Sequence, residues 1–169
     1  MDGKIELRDI RFHQELLPGD LEQIVYLHGK LYHQEYQYTK AFEHYVEDGL
    51  REFQSRFDPL KDRVWVCRHQ DQIVGFLLGM HRGPGEVQLR FFLVLPAYRG
   101  IGLGKFLLKE FMNYMREAGY KKAYLLTTHE QEKAASLYSR FGFQLTEEKN
   151  STVFGKPLRE QRYDWNPEQ

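Results

Sequence analysis

A chain of 169 residues suffices for one compact domain and is short for two. Lys plus Arg and Asp plus Glu number 24 each, and this zero formal charge argues against a dedicated nucleic-acid binder, which needs a basic excess to displace counterions. Aromatic residues make up 15% of the chain, a core-building load that excludes a disordered protein, and the single Cys67 excludes a disulfide framework or a cysteine-rich metal cluster.

The amino end, MDGKIELRDIRFHQE, carries charges throughout and does not read as a secretory signal; no stretch reaches the length of a membrane span. A soluble cytoplasmic protein with no membrane partner is the expectation. Weak alternation from Asp9 to His13 predicts a first strand, and Pro18-Gly19-Asp20 breaks it. Apolar residues then recur at helical spacing: Leu21, Ile24, Val25, Leu31 and Tyr32, with His28 and Glu35 on the same face. Thr39 can cap a second helix carrying Phe42, Tyr45, Val46, Gly49, Leu50, Phe53 and Phe57, which Asp58-Pro59 ends.

The period then changes to strand, turn, strand: Val64 to Cys67, a turn at Gln70-Asp71-Gln72, and Ile73 to Met80. Gly83-Pro84-Gly85 makes the next turn, and Val87 to Leu95 is a third strand closed by Pro96. Beyond glycines 100, 102 and 104, the residues Leu103, Leu107, Phe111, Met115 and Ala118 form one face of a helix that Gly119 stops. Lys122 to Thr128 is a strand, and Glu130 to Phe141 a helix with Ala134, Leu137, Tyr138 and Phe141 inward. Two strands follow, near Phe143 to Lys149 and Gln161 to Trp165. This order predicts a single α/β (α+β) domain over residues 1–169. It has a mixed, mostly antiparallel sheet of about six or seven strands flanked by about four helices.

The segment from Leu93 to Lys105 joins a strand to a helix through Gly100, Gly102 and Gly104. Glycines let the backbone approach a ligand, and the helix start adds partial positive charge, so the loop suits a phosphate or pyrophosphate. A Walker loop fails twice, because Arg99 stands in its first glycine slot and Phe106 in its Ser/Thr slot. A dinucleotide fingerprint also fails. The third glycine comes one residue early, and Tyr120-Lys121-Lys122 sits where an acidic ribose ligand belongs.

What remains is Leu93-x-Leu95-Pro96-x-x-Arg99-Gly100-x-Gly102-x-Gly104, followed later by Ala135-x-Leu137-Tyr138-x-x-x-Gly142-Phe143. With these two motifs the chain resembles the GNAT superfamily of acyl-CoA-dependent N-acetyltransferases, from Val64 to about Phe143. A narrower likeness rests on Leu27-His28-Gly29-x-Leu31-Tyr32-x-x-Glu35-Tyr36, Arg56-Phe57-Asp58-Pro59 and Leu89-Arg90. These stretches resemble the acetyltransferase half of bacterial MarR–GNAT fusion proteins, whose DNA-binding half has no counterpart here.

The resemblance implies a sheet splayed at its central strands, with acetyl-CoA as cosubstrate in the gap. The backbone of Leu93 and Val94 would pair with the pantetheine arm. The N–H groups of Arg99, Gly100, Ile101, Gly102, Leu103, Gly104 and Lys105 would cradle the pyrophosphate. It also implies direct transfer to an amine of a small molecule or peptide, with Val94 N–H facing the thioester oxygen and no covalent nucleophile, so Cys67 reads as a buried strand residue. Tyr138 fills the family's general-acid slot, or else is a core tyrosine with one hydrogen bond.

The base is open. Many members carry a glutamate where Gln88 stands, and Gln88 cannot take a proton; Glu35, His28 and Glu86, or water relayed by one of them, are the candidates. Tyr32, Tyr36, Gln88, Arg90 and Phe92 are the candidate acceptor contacts. Arg90 needs an anionic partner, either a substrate carboxylate or an internal acid such as Glu35. Lys121, Lys122 and Lys133 could meet the coenzyme's 3′-phosphate, though each equally suits a solvated surface. The histidines show no metal-ligand spacing, so no metal is expected. The competing readings are a catalytically weak acyl-CoA sensor and an interaction module, and the chain is expected as a monomer or homodimer.

Overall fold

The computed structural model describes residues 4–167. In chain order the elements are β1 (Arg11–His13), α1 (Asp20–Tyr36), α2 (Lys40–Ser55), β2 (Arg63–His69), β3 (Gln72–Gly83) and β4 (Glu86–Val94). There follow α3 (Leu103–Glu117), β5 (Lys122–Thr128), α4 (Glu132–Arg140), β6 (Gln144–Ser151) and β7 (Leu158–Trp165). The strands form one seven-stranded sheet in the order β1-β2-β3-β4-β5-β7-β6. Neighbours are antiparallel except β4 and β5, whose parallel pairing requires the crossover through α3.

Period-two alternation divides the core. Val64, Val66, Phe76 and Leu78 face α1 and α2, packing on Ile24, Leu31, Phe42, Val46 and Phe53. Trp65, Cys67, Leu77, Leu89 and Leu125 face the other way, against Leu103, Leu107, Phe111 and Met115 of α3 and Tyr138 of α4. The result is a layered helix–sheet–helix domain. Cys67 is fully buried, and burial alone pushes its thiol up to about 12, which suits packing rather than nucleophilic attack.

The sheet opens at its centre, as expected. β4 and β5 pair only from Glu86–Lys122 to Leu89–Leu125, while β4 runs on to Val94 and β5 to Thr128. Arg90 lies opposite Leu78 and Leu93 opposite Phe76, so Phe91 and Phe92 form a bulge against the single residue between them. Phe91 has a φ of 56°, a left-handed conformation costing on the order of 1–2 kcal/mol for a residue with a Cβ. The bulge bends β4 away from β5 and leaves its edge unpaired beside the glycine loop.

Several boundaries differ from expectation. The first strand shrinks to Arg11–His13, because Leu7–Asp9 forms a single 3₁₀ turn. Thr39 does cap α2, accepting from the N–H of Ala41 at 3.3 Å, but that helix stops at Ser55; Phe57 lies beyond it and packs edge-on to Phe53. α3 ends at Glu117, leaving Ala118 exposed, and buries Leu108 and Tyr114 besides the predicted face. α4 starts at Glu132, so Glu130 and Gln131 belong to the loop before it. β7 begins three residues before Gln161. No helix among the described residues is long and apolar enough to cross a membrane.

Candidate active site

Two hollows meet where β4 and β5 separate. The larger is a cleft of about 720 Å³ between α1, the end of β4, the glycine loop and α4. Leu93, Val94, Arg99, Gly100, Gly102, Leu103, Gly104 and Lys105 all line it. Ile101 does not, its side chain packing on the core beneath α3. Gly100 and Gly102 have φ of 80° and 89°, and a Cβ on either would meet nothing within 4 Å. Their conformation, not crowding, demands glycine. Gly102 is the N-cap of α3, so the unpaired amides of its first turn face the cleft as an anion site. Gly104 serves close packing, since a Cβ there would come 3.3 Å from the Phe92 ring.

Lys133 lines the cleft along with Arg140, which sequence reasoning missed. Lys121 and Lys122 do not. They border a separate hollow with Gly83, Pro84, Gly85 and Glu86, at the opposite end of β4. Both lysines and Glu86 therefore lie away from the glycine-loop cleft.

Glu35 also lines the cleft, where its Oε1 pairs with Arg99 Nη1 at 2.7 Å. Arg99 Nε donates to the Val94 carbonyl at 3.2 Å, so the pair ties α1 to the end of β4. Tyr36 stands beside it on the cleft wall, its phenol raised by burial and then by the Glu35 charge. Thus Tyr36, a candidate acceptor contact, and Glu35, a candidate base, both line the glycine-loop cleft and not the second hollow.

The second hollow, about 110 Å³, is lined by aromatic rings and a few polar groups, among them His28, Tyr32, Gln88, Arg90, Phe92 and Tyr138. Tyr32, Phe92 and Gln131 line both hollows and form the wall between them. The Tyr32 hydroxyl donates toward the Phe92 carbonyl at 3.3 Å and Gln131 Oε1 at 3.4 Å, and burial raises its phenol well above the ordinary range. Tyr138 is buried against Phe92, Phe143 and Tyr163, and desolvation likewise holds its phenol protonated.

His28 is 1% exposed. Its Nδ1 lies 2.9 Å from the Ile24 carbonyl and must donate to it, which leaves Nε2 as an unprotonated acceptor with no hydrogen-bond partner. Desolvation lowers its pKa to about 4, with the carbonyls of Ile24 and Phe91 opposing in part. The ring is therefore neutral at pH 7. Thr127 Oγ1, on the facing strand, is also buried without a partner.

Gln88 is internal: its Oε1 accepts from Arg82 Nε at 2.7 Å and from the Tyr124 hydroxyl at 3.2 Å. Arg90 does find an internal acid, but it is Glu52 of α2 rather than Glu35. Glu52 also binds Arg82 through a short contact, and that hydrogen bond is the main reason its carboxyl is held below the usual range. Besides Glu52, sequence reasoning missed Thr127, Thr128, Gln131, Phe154 and Glu160. Each comes from a strand or loop with no local pattern to mark it. Among the described residues, no group of three or more His, Cys, Asp or Glu side chains is placed to hold a metal ion.

The profile described as "Acetyltransferase (GNAT) family" matches residues 27–143. An uncharacterized N-acetyltransferase of Schizosaccharomyces pombe is 31% identical over 133 residues, covering 78% of this chain and 80% of its own. Five further relatives named N-acetyltransferase match over half of their own length or less. An acetyltransferase structure from Streptococcus agalactiae superposes with a TM-score of 0.74 at 20% identity, covering 95% of this chain and 99% of that one. A GNAT family acetyltransferase from Elizabethkingia anophelis, solved with acetyl-CoA bound, gives 0.64 at 14% identity over 94% of this chain and 98% of its own.

Proposed function

The chain belongs to the acetyltransferase (GNAT) family, and on that premise we propose that it moves an acetyl group from acetyl-CoA to a primary amine of a small molecule or peptide. The observation that carries this reading is the junction of the two hollows. A cleft floored by the amides that open α3 and by the stretch of β4 not paired with β5 meets a small polar-and-aromatic chamber at Tyr32, Phe92 and Gln131. In this reading the pyrophosphate sits on the amides opening α3 and the pantetheine arm runs along Leu93 and Val94 toward the chamber; that a structural neighbour was solved with acetyl-CoA bound supports the choice of ligand.

Deprotonating an amine of pKa about 10.4 at pH 7 costs about 4.6 kcal/mol. The neutral nitrogen attacks the thioester carbon; the C–N bond forms and the C–S bond breaks. Of the two candidates for the departing amine proton, the reading favours His28. It lines the chamber with a free lone pair, whereas Glu35 lies in the cleft, engaged by Arg99. With a pKa of about 4 the imidazole orients the amine and passes its proton to water rather than holding it. Tyr138, kept protonated by burial, supplies a proton to the leaving thiolate. The likeness to MarR–GNAT fusions, and a bacterial source with it, rests on the short motifs alone, and a cytoplasmic setting rests on the charged amino end and the lack of a span-length apolar stretch.

The test is calorimetric binding of acetyl-CoA, followed by thiol release with a broad panel of amines. Saturable acetyl-CoA binding with amine-dependent thiol release supports the reading. Binding without turnover of any amine points to the sensor, and absence of binding overturns the reading.

A further inference from the structure

We propose that the acceptor is a compact molecule bearing a carboxylate as well as its amine, and that Arg90 is the specificity residue that reads the carboxylate. The proposal rests on the acetyltransferase reading above and adds the substrate class.

The argument begins with unbalanced charge. Glu52 is the shared carboxylate of three guanidinium groups: Arg82 by a short contact, Arg90 at 3.4 Å and Arg56 at 3.6 Å. One negative charge cannot neutralise three positive ones. Arg82 and Arg56 have further acceptors in Gln88 Oε1 and the His81 carbonyl. Among the described residues the one anionic or hydrogen-bonding partner of Arg90 is Glu52 at that long distance, yet its side chain is 9% exposed and it is the arginine that lines the chamber. A guanidinium so withdrawn from water is costly unless a second anion meets it. Its planar fork matches a carboxylate, which it can grip with two parallel hydrogen bonds.

The position of that fork is fixed in advance. The Arg90 guanidinium lies 4.5 Å from the centre of the Phe91 ring and 5.3 Å from that of Tyr45. Gly49 of α2 makes room: a Cβ there would stand 2.7 Å from Arg90 Nη2 and 2.4 Å from Phe91 Cζ. The strained φ of Phe91 is thus repaid in part by holding its ring against the arginine.

The remaining chamber groups suit the other end of such a molecule. Glu160 of β7, which also pairs with Lys149 at 3.6 Å, lines the chamber from beyond β5, so a cationic and an anionic side chain border it from opposite sides of the gap. That polarity fits a zwitterion. His28 Nε2 and Thr127 Oγ1, both buried without partners, await hydrogen-bonding groups of a bound molecule. With the carboxylate on Arg90, the amine turns toward the wall of Tyr32, Phe92 and Gln131, beyond which the coenzyme cleft begins. A polyamine would bring further positive charge to a cluster already in excess of it.

The test compares, in the unaltered protein, a series of compact amino acids with their primary amides and their decarboxylated amines, by thiol release from acetyl-CoA. The expected result is a kcat/KM at least about tenfold higher for the acid than for its amide, or about 1.4 kcal/mol. Arg90→Gln should bring that ratio close to one, and Arg90→Lys should restore part of it. Amides or simple amines that match or outrun the acids overturn the proposal while leaving the acetyltransferase reading intact. So does turnover confined to polyamines or peptides. If acetyl-CoA does not bind, or no amine of any class releases thiol, the acetyltransferase reading itself has failed and this proposal falls with it. The acid-to-amide ratio needs no variant, so misfolding of an Arg90 mutant cannot obscure the outcome.

Discussion

The glycine-loop cleft and the aromatic chamber, proposed above for coenzyme and acceptor, share a wall but are built from different materials. The floor of the cleft presents backbone from one continuous stretch of chain, the end of β4, the glycine loop and the N-terminus of α3, between walls of α1 and α4 side chains. The chamber presents side chains from distant segments, with His28 and Tyr32 from α1, Arg90 and Phe92 from β4, Thr127 from β5 and Tyr138 from α4. A backbone site holds whatever ligand has the right charge and extended shape, so its chemistry is generic. A side-chain site is assembled by tertiary packing, and each substitution changes what it accepts. Removing one element from each side separates the two roles.

The largest effect is expected at Gly102. A glutamate there brings negative charge and bulk to the proposed diphosphate position, in a conformation with φ of 89° that already disfavours a Cβ. Gly102→Glu should weaken acetyl-CoA binding by on the order of a hundredfold, about 2.8 kcal/mol, as read by calorimetry on folded protein. Gly102→Ala, which meets no neighbour within 4 Å, isolates the backbone strain and should cost far less. Unchanged affinity in the glutamate variant would misplace the cradle. On the chamber side, Tyr138→Phe should lower kcat by roughly ten- to a thousandfold, while coenzyme affinity is spared. Equal turnover removes the Tyr138 hydroxyl from the mechanism, and a parallel loss of coenzyme binding would mean that the two regions are not separable.

The same division explains what the sequence discloses. Gly100, Gly102 and Gly104 lie within five residues of one another because a backbone that must bend and approach a ligand can do so only through local glycine. The helix after them and the seven strands follow from periodicity, a local property as well. The chamber has no such signature. Glu52 is one charged residue among many on α2, and only the α2–β4 packing brings it to Arg90. Placing His28 and Glu35 on one helix face was sound as periodicity. The two are nonetheless divided between chamber and cleft, because they are two turns apart along α1 and the β4 bulge separates the hollows there. Phe154 reaches the chamber from the β6–β7 turn. Its carbonyl accepts from the N–H of Thr39 at 3.0 Å, a pairing across more than a hundred residues that no window could reveal.

A smaller effect should appear in stability against pH, and it belongs to the chamber alone. His28 has a folded-state pKa of about 4 against an ordinary 6.5. Above pH 6.5 both folded and unfolded forms carry a neutral ring. As pH falls from 6.5 toward 4, the unfolded chain binds a proton that the folded chain refuses, so stability declines by about 1.4 kcal/mol per pH unit. At pH 5 the loss is on the order of 2 kcal/mol. Urea unfolding at pH 7 and pH 5 should show this decline and show it reduced in His28→Gln. Equal slopes for the two proteins would mean that the ring is not the neutral, desolvated group described above.

The smallest effect tests whether Glu35 belongs to the cleft or to the chemistry. Its carboxylate and the Arg99 guanidinium keep 22% and 39% of their side-chain surface exposed, so solvent screens the pair, and its net worth is at most about 1 kcal/mol. Breaking it therefore should not unfold the protein. Glu35→Gln removes a negative charge from the cleft and releases Arg99, a cation at the glycine loop, from its internal partner. Coenzyme affinity should tighten severalfold, with an affinity that depends more steeply on salt, while kcat falls by less than tenfold. A proton acceptor in the reaction behaves otherwise, since its removal typically costs about a hundredfold or more in turnover. A loss of that size, with coenzyme binding unchanged, would move Glu35 across the wall and give the reaction a carboxylate base. A tightened coenzyme with modest kinetic loss would leave Glu35 as a counterion that the coenzyme's phosphates displace.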